Sequence, residues 1–376
     1  MSLEPARLAD SRAGHQTVDG LFAGVGILAG DSTMQITVAG RGGVDAHAAA
    51  AALSVTAVDP AGPGFVTVHP CGIVRPMASS LNVTAGAVVA NAVIARLGAA
   101  GTVCVYTSVA THIVVDVNGA FPAGSDFVPG DPMRILDTRV GEPTIDGRAA
   151  GAGAADAGSV TTLQITGRAG VPADASAVVL NITVTEPTAP GYATVYPCGS
   201  VPPLASNLNY DTGATVANMA ITRLGFGGAV CIITQSRTQL IADLSGYFAA
   251  DSEYMAVLPA RLLETRMGET TVDGQSSGIG ARSAGSVTAV QVVGRGGVPV
   301  DAATAVLNVT ATGATADGYV TAYPCGGEPP LASTLNLSPG KTVANASIVG
   351  VGTSGSVCLY SSQTADLVVD VSGFLR

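Results

Sequence analysis

The chain repeats itself every 127 residues, three times, without a slip in register. Pro70-Cys71-Gly72, Pro197-Cys198-Gly199 and Pro324-Cys325-Gly326 stand one period apart, as do Asp116, Asp243 and Asp370. Fixed-period self-similarity constrains architecture before any local reading, because each copy must build the same unit. It also supplies an internal comparison: what recurs serves the unit, and what varies is free or specialised. The period places repeats at 4–124, 131–250 and 258–376, each long enough for its own core.

Val, Thr, Ala and Gly dominate, charged residues make up only 12%, and 48 Gly and 21 Pro punctuate the chain. That mixture suits short strands joined by turns. In the second copy the pattern predicts strands at 134–139, 160–166, 177–185, 192–196, 207–210, 215–224, 230–234 and 240–244. The alanine-rich stretch 45–52 has helix propensity, but its counterparts read as strand, so strand is expected there too. About eight strands per copy predict three tandem all-β units of sandwich or jelly-roll type, with a small barrel or trefoil as the alternative. The joins 121–132 and 248–259 read as short, partly packed linkers.

The net charge of −10 argues against a phosphate-backbone binder, so no nucleic-acid partner is expected. No apolar run reaches membrane-spanning length. Six cysteines fall two per copy and 33 residues apart. One disulfide per repeat is expected, Cys71–Cys104, Cys198–Cys231 and Cys325–Cys358, and with it an oxidising compartment. Zinc is the rival reading, but the C-x-x-C spacing is missing. Met1-Ser2-Leu3 runs straight into the first repeat, so an exported form would have lost a leader or been excised from a longer chain.

Each copy opens with an acid between two arginines: Arg7, Asp10 and Arg12; Arg134, Asp137 and Arg139; Arg261, Glu264 and Arg266. This is either an anion site or a structural ion-pair cluster that Asp116, Asp243 or Asp370 on the last strand would complete. The structural reading is preferred, since a buried carboxylate needs such a partner. A second strand carries aromatic, Thr and ring on one phase: Phe65, Thr67 and His69; Tyr192, Thr194 and Tyr196; Tyr319, Thr321 and Tyr323. These six rings are a candidate sugar-stacking or adhesive face, or else packing beneath a loop.

No metal or cofactor is expected. Asp19, Asp146 and Asp273 each precede Gly in a turn signal, but no Asp-x-Asp-x-Asp run suggests calcium. His15, His47, His69 and His112 all lie in the first copy and follow no ligand spacing. Gly-Arg-Gly-Gly at 40–43 and 294–297 lacks the lysine and helix of a phosphate loop. Asn82, Asn209 and Asn336, with Asn91, Asn218 and Asn345, are read as loop and edge scaffolding.

The ordered motifs (Arg-Leu-Leu-x-Thr-Arg at 261–266, Gly-Arg-x-Gly-Val-Pro at 167–172 and 294–299, Gly-Tyr-x-Thr-x-Tyr-Pro-Cys-Gly at 191–199 and 318–326, Val-Ala-Asn at 216–218 and 343–345) span essentially the whole chain. Together they resemble a tandem β-repeat domain of secreted actinobacterial proteins. The resemblance implies an exported module without a transferable activity. Copy one departs from it at Ser54, where the others have Asn181 and Asn308, and lacks the proline matching Pro172 and Pro299. The expected function is a non-catalytic extracellular or cell-surface repeat protein, structural or adhesive, contacting surface protein or polysaccharide. The alternatives are a multivalent carbohydrate-binding module using the aromatic strands, or a secreted hydrolase in the histidine-bearing first repeat.

Overall fold

A computed structural model describes residues 2–376. Repeat one forms β1 (Ser2–Asp10), β2 (Ser32–Thr37), β3 (Ala48–Val58), β4 (Gly64–Pro70), β5 (Leu81–Val83), β6 (Val88–Arg96), β7 (Thr102–Thr107) and β8 (His112–Pro122). Repeat two forms β9 (Phe127–Asp137), β10 (Val160–Gln164), β11 (Ala177–Thr185), β12 (Gly191–Pro197), β13 (Leu208–Tyr210), β14 (Thr215–Arg223), β15 (Ala229–Thr234) and β16 (Gln239–Phe248). Repeat three forms β17 (Tyr254–Glu264), β18 (Ser286–Gln291), β19 (Thr304–Thr312), β20 (Gly318–Pro324), β21 (Leu335–Leu337), β22 (Val343–Gly350), β23 (Ser356–Ser361) and β24 (Asp366–Leu375). No α-helix occurs among the described residues. The alanine-rich segment is strand β3: sheet pairing on both sides overrides its helix propensity.

Each repeat contributes two four-stranded antiparallel sheets, β1-β8-β3-β6 and β2-β7-β4-β5 in the first copy, and their counterparts in the others. The expectation of three tandem sandwich units is corrected here. The six sheets close into one ring, a six-bladed β-propeller, in which β6, β5, β14, β13, β22 and β21 succeed one another around the axis. The physical reason lies in β3, β11 and β19, which are buried on both faces along nearly their whole length. A sandwich sheet can leave one face to water, whereas these sheets have none to spare.

The two kinds of contact around the ring differ in character. Within a repeat the blades pack through aliphatics, with Leu8, Leu53 and Val55 facing Ile36, Val66 and Val103 in the first copy. Between repeats the blades meet through polar keys, described below, and through one apolar cluster that all three share. At one end of the axis the three long-stranded sheets meet directly, and Ala50, Val179 and Val306 surround the rings of Phe121, Phe127, Phe248 and Tyr254. Phe127 and Tyr254 open β9 and β17, so the segments expected as linkers are partly strand and core.

Asn91, Asn218 and Asn345 lie buried on β6, β14 and β22, edge strands of their sheets as expected and not loops, and they key the repeats together in a cycle. Asn91 Oδ1 accepts the Met219 amide (3.2 Å), Asn218 Oδ1 the Ala346 amide (3.1 Å), and Asn345 Oδ1 the Ala92 amide (2.9 Å). Their Nδ2 groups donate to Ser80 O (2.6 Å), Asn207 O (2.5 Å) and Thr334 O (2.7 Å). Asn91 and Asn218 donate in addition to Asn181 Oδ1 (2.9 Å) and Asn308 Oδ1 (3.0 Å) across the repeat boundary. Asn345 has no such second acceptor, because Ser54 occupies that position and instead donates to Ser333 O at 3.2 Å.

Candidate functional site

The opening and closing strands of each repeat pair, setting Arg7 opposite Asp116, with Asp243 opposite Arg134 and Arg261 opposite Asp370. Arg7 donates to Asp116 Oδ1 (2.9 Å) and Asp10 Oδ2 (3.0 Å), and Arg12 donates to both oxygens of Asp10 (2.9 and 2.7 Å). Arg134 and Arg139 treat Asp243 and Asp137 alike, and Arg261 and Arg266 treat Asp370 and Glu264 alike. The third guanidinium nitrogen reaches the preceding repeat: Arg7 to Leu331 O (3.2 Å), Arg134 to Met77 O (3.3 Å), Arg261 to Leu204 O (3.3 Å). Burial pushes Asp116, Asp243 and Asp370 up, and the facing arginines pull back only in part. Asp10 and Glu264 are also pushed up by burial, but their flanking arginines outweigh it and hold both below the usual carboxylate range.

A second recurring pair was not recognised from sequence. Arg41, Arg168 and Arg295, from the Gly-Arg motifs, are buried and bind Asp19, Asp146 and Asp273 through two nitrogens at 2.6–2.7 Å. The hydrogen bonds from these arginines lower the three carboxyls to about 2. Neither calcium nor phosphate chemistry is needed to explain the two motifs: each neutralises the other. The matching spacing of the two motifs (22 residues in every copy) was the available signal.

The first repeat brings Ser11 Oγ to 3.0 Å from His112 Nδ1, and His15 Nδ1 lies 3.7 Å from Asp10. The same pairing recurs in the other copies without a histidine. Ser11 is fully buried, and its counterparts Thr138 and Thr265 make the same bond to Gln239 and Asp366 (2.6 Å each). All three hydroxyls also accept a backbone amide from the closing strand, a structural task. Among the described residues no group of three His, Cys, Asp or Glu is placed to hold a metal ion.

The aromatic strand needs correction. Tyr192 and Tyr319 are exposed and Phe65 is half-buried, but His69, Tyr196 and Tyr323 are buried, as are the threonines between them. The loop following each strand folds over that face: Thr67, Thr194 and Thr321 donate to the carbonyls of Ala78, Ala205 and Ala332 at 2.7–2.9 Å. His69, Tyr196 and Tyr323 sit beside the disulfides Cys71–Cys104, Cys198–Cys231 and Cys325–Cys358, whose Cα atoms are 4.9–5.0 Å apart. A Cβ at Gly98, Gly225 or Gly352 would overlap the backbone of the first cysteine, which explains why glycine recurs there.

What remains open is a groove between repeats. The first lies between β4–β5 and the outer face of β11, holds about 240 Å³, and is lined by Phe65, Asn82, Arg139, Thr183, Thr185 and Thr215. Phe65 and Asn82 are cross-strand partners, as are Tyr192 and Asn209, and Tyr319 and Asn336. In all three copies the asparagine Nδ2 is buried without a hydrogen-bond partner, and so is Oγ1 of Thr310 and of Thr56, the counterparts of Thr183. Native structures leave few such atoms unpaired.

No family model matches the chain, and no curated protein matches it. Among solved structures, the atomic structure of Sulfolobus turreted icosahedral virus aligns over 91% of this chain and 83% of its own, at 7% identity and a TM-score of 0.22. The N-terminal CBM22-1-CBM22-2 tandem domain from Paenibacillus barcinonensis Xyn10C aligns over 65% of this chain and 98% of its own, at 12% identity and a TM-score of 0.18. Both scores are too low to carry an argument about fold or function, so the chain is described by its own geometry: a three-fold repeat closed into a disulfide-stapled six-bladed propeller.

Proposed function

We propose that this chain is a non-catalytic module of exported proteins, a rigid three-fold scaffold that makes contacts at a cell surface. The observation that supports this reading most is the fate of the recurring charge. The arginine-acid clusters and the Arg–Asp turn pairs bind each other inside the repeats and against the preceding repeat. A carboxylate held by two guanidinium groups is a poor general acid or base, because its proton affinity is spent on structure. Three disulfides suit an oxidising compartment, and no helix is long and apolar enough to cross a membrane. The sequence resemblance to secreted actinobacterial repeats points the same way.

The test is retention of the folded chain on cell-wall material and on surface-protein fractions, run beside a screen for ester, glycoside, peptide and phosphate hydrolysis. Retention without turnover supports the proposal. Turnover that disappears in His112→Ala or Asp10→Asn overturns it, and free thiols in the natively expressed protein overturn the extracellular assignment.

A further inference from the structure

We propose that two of the three inter-repeat grooves each bind one neutral pyranose ring of a glycan, the third being disabled by sequence. The inference rests on the non-catalytic binding role proposed above and names the ligand for it. Each groove places a ring beside an amide that lacks a partner, Phe65 with Asn82 and Tyr192 with Asn209. Across from them two threonine hydroxyls lie 2.7 Å apart, Thr185 with Thr215 in the first groove and Thr312 with Thr342 in the second. A pyranose has the matching division, an apolar C–H face for the ring and a hydroxyl edge for the amide and hydroxyls.

The clustered arginines favour a neutral sugar: Arg134 and Arg139 are balanced by Asp137 and Asp243, and Arg261 and Arg266 by Glu264 and Asp370, which leaves Arg75, 5.8 Å from the Phe65 ring centroid, as a cation beside the first ring. In the first groove size selects a single ring: about 240 Å³ lies below the range of roughly 300–1,000 Å³ of drug-sized pockets. The third groove keeps Tyr319 and Asn336 but has Val58 and Val88 where the others have the threonine pair. Its threonine pair is gone, although the Asn336 amide and the Thr56 hydroxyl stay unpaired.

A buried amide without a partner burdens the unliganded fold, which gives the experiment two independent readouts. Cellotriose and mannotriose are titrated separately by calorimetry into the full chain, with glucuronate as the charged control. Two sites per chain for at least one neutral trisaccharide, with glucuronate weaker, are expected. Asn82→Leu and Asn209→Leu should each remove one site while leaving the melting temperature unchanged or raised. Tyr192→Ala should weaken the second site about tenfold, by the loss of a ring contact. Val58→Thr with Val88→Thr should create a third site. Absence of saccharide binding, together with a raised melting temperature in both leucine variants, would show grooves that hold only water and overturn the inference. So would binding that both leucine variants leave intact, or tighter binding of glucuronate. If the grooves fail while the chain is still retained on surface protein, only the ligand assignment falls. Hydrolysis of the trisaccharide would instead overturn the non-catalytic reading.

Discussion

The axis asparagines give the most direct test of how the ring is held. Asn218→Ala strands three groups: the amide of Ala346, the carbonyl of Asn207 and the Oδ1 of Asn308. The side chain is buried, so water cannot take its place without opening the axis. At about 1 kcal/mol for each group left unpaired, toward the low end of the usual range, the loss is about 3 kcal/mol. Asn345→Ala strands only two groups, Ala92 N and Thr334 O, because Ser54 offers no amide oxygen across that boundary. It should cost about 1 kcal/mol less. Urea unfolding of wild type and both variants reads this directly, and with a slope of about 3 kcal/mol per molar the Asn218 variant's midpoint falls by about 1 M. The slope itself should not change, since the surface exposed on unfolding is the same. The reasoning is refuted if Asn345→Ala costs as much as Asn218→Ala, or if Asn218→Ala costs less than about 1 kcal/mol.

Ser54→Asn should supply the missing amide at the third boundary and raise stability by about 1 kcal/mol, measured as an upward shift of the urea midpoint; no change or a loss would mean that the site cannot accept the side chain. Asp146 has its carboxyl lowered to about 2 by Arg168, so its contribution is fully present above the ordinary carboxylate pKa near 4 and disappears as pH falls through 2. Discounted for the solvent that reaches this carboxylate, the pair contributes about 1–2 kcal/mol, and the stability gap between wild type and Asp146→Asn should be that large at pH 6 and close by pH 2. Replacing Cys198 and Cys231 together by alanine should cost about 3–4 kcal/mol for a 33-residue separation, with an equal loss at either of the other two bridges.

Much of the unit is legible in one copy of the repeat. Six of the eight strands of 127–248 fall within two residues of where the alternation and turn residues place them, because local patterning governs strand formation, whereas β9 begins seven residues early, inside the expected linker, and β16 runs on to Phe248. The closure of the ring is not legible in that way. The residues Ala177 to Leu180 form an unbroken apolar run, which reads equally well as the core of a two-layer unit; its second buried face is defined only by the neighbouring repeats. Asn91 sits on an edge strand as expected, but its role between repeats is hidden for the same reason, since its partners Met219 and Asn181 belong to another copy. Alternation correctly put Tyr196 and Tyr192 on one face of β12 but is blind to the loop that covers Tyr196 and spares Tyr192. Asn82 recurs visibly, yet only the assembled groove shows that its amide lacks a partner.

The division between an aliphatic core inside each repeat and the asparagine keys and shared ring cluster between repeats bears on how the chain folds in time. Each repeat gathers its aliphatic core from within its own stretch of chain, so the three units can collapse independently, before they dock. The asparagine keys form only when two finished units dock, and the last docking must join β22 to β1 across almost the full length of the chain. That late step falls at the boundary where Ser54 has replaced asparagine. Opening should begin there as well, so amide exchange is expected to be fastest for Ala92 among the three equivalent axis amides, with Met219 and Ala346 protected longer.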